Sequence, residues 1–246
     1  MRGIRRPLVL GGAILGLIVL APLTHALAAN GPGSRPAPTC PGFSAGNFRK
    51  STSIDNPYFP VVPGTRFTYK GTVHKTPVVD IVTVTHNTRT LDGVKTIEVR
   101  DQVFEAGVLT EDTLDWYGQD DQGNVWYFGE LATQLPAGTH DGSWTAGVNG
   151  AQPGYIMEAA PKVGDVYCQE NAPGAAQDAA QVLSVTASRS VPFGTFTENV
   201  LQTKDYSLLE PKNENKFYEP GVGMLEAISI TGPSEDIQLF TIENGV

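Results

Sequence analysis

The chain has 246 residues, 40% of them hydrophobic, with 17 Lys+Arg against 26 Asp+Glu and a formal charge of −9. An acidic surface disfavours nucleic acid and anionic lipid, because affinity for both comes from Lys and Arg neutralising phosphates. With 27 Gly and 18 Pro, chain breaks are too frequent for a helical bundle, and the length suits one sizeable core.

The chain opens with Arg2, Arg5 and Arg6, then an apolar run from Leu8 to Leu23, then Ala26 and Ala28 as small residues at a cleavage point. This is the three-part pattern of a secretory signal peptide, so residues 1–28 are expected to be removed after Ala28. The alternative is an uncleaved anchor, but a run of about 16 residues falls short of the roughly 20 that span a bilayer comfortably. Cleavage takes three arginines and no acids, leaving 218 residues at a formal −12. No later apolar run has membrane length. The expectation is a secreted or otherwise extracytoplasmic protein with no stable membrane insertion.

Residues 29–53 read as a Pro/Gly-rich linker, a composition that buries too little to order itself. Residues 54–246 read as a single β domain. There, short β-branched and aromatic segments alternate with Gly, Pro, Asn and Asp punctuation, and no long 3.6-residue stripe appears. Strands are expected at 65–70, 78–86, 95–101, 109–119, 125–130, 165–169, 180–189, 195–203, 216–218, 224–230 and 237–242. The clearest is 95–101, where Ile97 and Val99 alternate with Glu98 and Arg100. The one helical candidate lies within 174–181, and 131–157 reads as a long excursion carrying Trp144. No fixed-period repeat argues for a propeller or solenoid. The expected fold is all-β with little helix: an antiparallel curved sheet, barrel or half-barrel of lipocalin-like or lipoprotein-carrier-like shape that hides its edges.

The chain has two cysteines, Cys40 and Cys168. An even count in an oxidising compartment points to one disulfide, with two separate thiols as the alternative. Cys40 follows Ala37-Pro38-Thr39 rather than an apolar-small run, so lipidation is not expected.

The densest chemistry lies between Asp115 and Glu130. Gly123, ending Asp121-Gln122-Gly123, fits a three-residue hairpin loop closed by a residue with φ > 0. That register opposes Asp120 to Asn124, Tyr117 to Tyr127 and Trp116 to Phe128. One face then carries Trp116, Trp126, Phe128 and Glu130, and the other Asp115, Tyr117, Val125 and Tyr127. Rings on both faces mean that one packs a core while the other is covered by a loop or walls a cavity. The bland reading is cross-strand packing; the functional one is a ligand-binding wall.

Other motifs are weaker. Gly42-Phe43-Ser44-Ala45-Gly46 spells the G-x-S-x-G elbow but lacks the strand before it and the helix after it. After the leader, three histidines remain, His74, His86 and His140, without metal-ligand spacing. Aligning Gly123 with the EF-hand glycine puts glycines at ligand positions, so that motif fails. No Gly-rich phosphate loop is present, and neither a metal nor another cofactor is expected. Asp115, Asp120, Glu130, Glu111 and Glu170 are the carboxylates that could do acid–base work.

Asn56-Pro57-Tyr58-Phe59-Pro60 leading to Pro63-Gly64-Thr65, the aromatic hairpin, Gly142-Ser143-Trp144 and Phe217-Tyr218-Glu219-Pro220-Gly221-Val222-Gly223 together resemble a group of secreted bacterial proteins without an assigned activity. The last segment is also similar to a Y-x-P-G-V-G stretch in some periplasmic, lipoprotein-like β-sheet proteins. The resemblance covers about residues 54–230. It implies a β-rich extracytoplasmic domain and supplies no catalytic residue.

Three functions fit. The first is binding of an apolar or amphiphilic small molecule, or a cell-envelope component, in a cavity walled by Asp115, Tyr117, Trp126, Tyr127, Glu130 and Trp144. The second is a secreted hydrolase or isomerase/cyclase using cavity carboxylates. The third is an envelope interaction module with no small-molecule site.

Overall fold

The computed structural model describes residues 35–232 and 234–246; the expected leader, the cleavage expected after Ala28 and residues 29–34 lie outside them. The described chain is all-β, with a single 3-10 turn at Ala45–Asn47 and no α-helix. The first meander comprises β1 (Thr65–Val73), β2 (Thr76–Leu91), β3 (Val94–Glu105), β4 (Val108–Gln119) and β5 (Val125–Gln134). Short strands follow: β6 (Trp144–Thr145), β7 (Gln152–Met157), β8 (Val166–Cys168) and β9 (Glu170–Asn171). A second meander comprises β10 (Asp178–Val191), β11 (Gly194–Ser207), β12 (Asn213–Glu219), β13 (Gly223–Thr231) and β14 (Glu235–Asn244).

All these strands belong to one 14-stranded antiparallel sheet, in the order β8-β10-β11-β12-β13-β14-β1-β2-β3-β4-β5-β7-β9, with β6 alongside β5. Pairing of β1 with β14 joins the two meanders. Their far edges are then stitched by one short stretch of chain. Val166–Cys168 pairs with β10, and Glu170–Asn171, two residues on, pairs with β7. The barrel is nearly closed at this seam, which leaves few free edges. Gly154 in β7 permits the closure: a Cβ there would lie 2.6 Å from the backbone oxygen of Gln169.

The expected strands are present, mostly longer than periodicity alone marks them. The 78–86 segment extends over all of β2 because a bulge between Val84 and Thr88 lets the chain keep pairing with β3. Two expectations are corrected. The segment 174–181 forms no helix: a tight turn bonds Ala172 N–H to the Ala176 oxygen, and β10 starts at Asp178. Ala179 and Ala180 are fully buried between β8 and β11, so tight strand packing outweighs alanine's helix propensity. The excursion at 131–157 contains β7, one side of the barrel seam.

The stretch read as linker is tied to the barrel from residue 35 onward. Thr39 bonds the Val166 oxygen, Cys40 and Cys168 form a disulfide with Cα atoms 4.8 Å apart, and Tyr206 donates to the Pro36 oxygen at 2.6 Å. Arg35 donates to the backbone oxygens of Ser207 and Glu210. Phe43 and Phe48 then lay their rings 5.5–5.9 Å from those of Trp126 and Phe128. Bulk composition undercounts two phenyl rings and a cross-link, which together supply the burial that Pro and Gly lack. No helix among the described residues is long and apolar enough to cross a membrane.

Candidate functional site

The site grows from the β4–β5 hairpin. Its turn follows from local chemistry: Asp120 Oδ1 accepts from Gln122 and Asn124 N–H, and Gly123 takes φ 94°. Tyr117 therefore opposes Tyr127, and their rings stack with centroids 4.9 Å apart. Beyond this pair the expected register fails. A bulge leaves Trp116 without a partner in β5 and sets Asp115 opposite Glu130. Gly129 makes the bulge with φ 132°, in contact range of the Trp144 backbone in β6. The one-residue slip moves Glu130 off the Trp126 and Phe128 face and onto that of Asp115, Tyr117 and Tyr127.

That face looks into the barrel. Tyr127 donates to Asp115 Oδ1 at 2.6 Å, and its hydroxyl also hydrogen-bonds the Glu130 side chain. Trp144 stacks edge-on to Tyr127 at 5.4 Å and donates Nε1–H to Glu170 at 3.1 Å. Burial is the main force on these acids. It pushes Asp115 up to about 7 against the Tyr127 hydrogen bond. Glu130 rises well above the usual carboxylate range, through burial first and then the neighbouring Glu170, Asp115 and Glu111. Glu170 is raised by burial and Asp178, with the Trp144 bond opposing. Further along, Asp80 is raised to about 7 by burial, and Asp101 well above its usual value by burial and by the neighbouring Asp80. A single phenol proton satisfies only one carboxyl, so a Glu130 that keeps its own proton can donate to the Tyr127 oxygen.

Another part of the interior pairs its acids with lysines. Lys216 Nζ lies 3.2 Å from Asp205 and 3.1 Å from Glu214, and Lys212 bridges Glu214 and Glu235. Burial works to raise Glu214, but Lys212 and Lys216 hold it down at about 2.

A pocket of about 340 Å³ opens beside the acid cluster, with Trp116, Trp144, Glu130 and Arg89 among its lining residues. Of the residues expected to form the wall, Glu130 and Trp144 do so. Asp115 and Tyr127 stand behind Glu130. Tyr117 borders a separate apolar cavity of about 30 Å³ under Phe59 and Met224. Trp126 turns to the other face, donates to Asp120 at 2.8 Å and is covered by Phe43 and Phe48, so it does not line the Trp116–Trp144 pocket. Sequence reasoning missed Arg89, whose place at the pocket depends on the β2 bulge, and Trp116, which needs the β5 bulge.

Ser44 is exposed between irregular chain and a three-residue 3-10 turn, without an elbow's strand and helix. Among the described residues no group of three His, Cys, Asp or Glu is placed to hold a metal ion.

No family model matches the chain, and no curated protein matches it. Among solved structures it is similar to a candidate exported protein with a YmcC-like fold from Bacteroides fragilis, at 14% identity and a TM-score of 0.45, covering 76% of this chain and 99% of that one. It is also similar to a candidate lipoprotein from Parabacteroides distasonis, at 12% identity and a TM-score of 0.40, with the same coverage of both chains.

Proposed function

We propose that this is an extracytoplasmic binding protein that holds a small amphiphilic molecule in the Trp116–Trp144 pocket. The observation carrying this reading is the pocket itself: two indoles give it an apolar wall, and the Glu130 carboxyl gives it a buried polar contact. The leader pattern and the Cys40–Cys168 disulfide support the compartment. The test is native mass spectrometry of protein purified from its own host, followed by titration of the released molecule. A co-purifying small amphiphile, released or weakened about tenfold or more by Trp144→Ala, is expected. Ligand-free protein that binds no amphiphile would leave the envelope-module reading in its place.

A second reading, a secreted hydrolase or isomerase, draws on the Glu130–Tyr127–Asp115 hydrogen-bonded chain. A carboxylic acid held protonated at a pocket wall is the form of a general acid. Turnover abolished by Glu130→Gln with binding retained would favour it.

A further inference from the structure

One cation lines the pocket, and no acceptor among the described residues engages it. The Arg89 guanidinium lies 4.4 Å over the Trp116 ring and makes no side-chain ion pair or hydrogen bond among the described residues. Trp116 is 2% exposed, so the ring beneath Arg89 is a fixed platform. A guanidinium with no acceptor of its own is free to take a ligand oxygen. Across the mouth, Leu131 and Val148 stay 38% and 51% exposed. They offer an apolar landing for a chain that continues out of the pocket.

We propose that the ligand is a single-chain amphiphile with an anionic oxygen head, held by Arg89, its apolar tail running along Trp144 towards Leu131 and Val148. The inference rests on the binding reading above and names the ligand class for the same pocket. A planar guanidinium grips a carboxylate or phosphate through paired N–H bonds, and the indole beneath it holds the fork in place. Glu130 is the only acid among the lining residues. Burial favours its protonated form, which lessens the opposing charge at the head. A primary amine, by contrast, would meet Arg89 at the mouth.

The test is calorimetric titration of the oxidised protein at pH 7 with octanoate, octyl phosphate, octanol and octylammonium. At least one anionic probe is expected to bind about tenfold or more tighter than octanol and octylammonium. Arg89→Gln should remove that advantage and leave octanol unchanged. Arg89 is exposed, so this variant folds, and circular dichroism checks it. Tighter binding of octyl phosphate assigns a phosphate head, and of octanoate a carboxylate. Equal binding of octanol and both anions, or an Arg89→Gln variant with unaltered affinities, overturns the anionic head and leaves the binding reading standing. Preference for octylammonium also overturns it. Failure of all four probes to bind overturns both.

Discussion

Tyr127 and Asp115 meet at 2.6 Å inside the barrel, a phenol donating to a carboxyl across the slip that the β5 bulge creates. Without that slip Glu130 would face the opposite side, and the hydroxyl would serve one acid instead of two. The contact thus links a backbone irregularity to the protonation of the pocket.

The acid cluster sets the pH dependence of stability. Asp80 and Asp115 titrate near pH 7 in the folded protein, against an ordinary value near 3.8. The native state therefore binds protons that the unfolded chain has released, and stability falls as pH rises between about 4 and 7. Glu214 works the other way, and its contribution disappears only as pH drops toward 2. Thermal melts should show a higher Tm near pH 5 than near pH 8. Asp115→Asn, which still accepts from Tyr127, should shrink that difference; an unchanged profile would remove Asp115 from the account.

Gly129→Ala tests the bulge. Its φ of 132° disfavours any Cβ, and the added methyl would press on the Trp144 backbone. A loss of about 2–4 kcal/mol is expected in denaturant unfolding, from backbone strain and overpacking together. Ligand affinity should fall with it, because both Glu130 and Trp144 depend on this position.

Breaking the lysine–carboxylate cluster should cost more than altering the surface. Lys216→Met leaves Asp205 and Glu214 buried with Lys212 as the remaining nearby ammonium. Removing one member of a buried charge group costs about 3–5 kcal/mol. Urea midpoints for Lys216→Met should drop accordingly, whereas the exposed Arg100–Asp112 pair should contribute under about 1 kcal/mol.

Thiol titration of the denatured, unreduced protein should find no free cysteine. Replacing Cys40 and Cys168 with Ser opens a loop of 128 residues. The chain-entropy model assigns such a link up to about 4–5 kcal/mol. Limited proteolysis should then cut first between residues 41 and 53, as Phe43 and Phe48 leave the hairpin.

What the sequence reveals tracks the range of the forces involved. The Asp121-Gln122-Gly123 turn is local, and it specifies the Tyr117–Tyr127 pair correctly. The Gly129 bulge depends on β6 arriving beside β5, and a glycine in a strand does not announce which neighbour will approach it. Alternation within 95–101 reveals a strand; it cannot reveal that Asp101 faces Asp80 in the interior. The pocket combines β2, β4, β5, β6 with the turn after it, and the turn after β9, and no window of contiguous residues contains that relation.

Pairing of β1 with β14 has a kinetic side. Thr65 waits for Asn244, 179 residues downstream, before that edge of β1 is satisfied. A chain emerging in order therefore carries an open strand edge through most of its appearance, and closing so long a loop is slow. Until β14 arrives, β1 is the place where another chain can add itself. Refolding yield should therefore fall steeply with protein concentration, even where the finished barrel is stable.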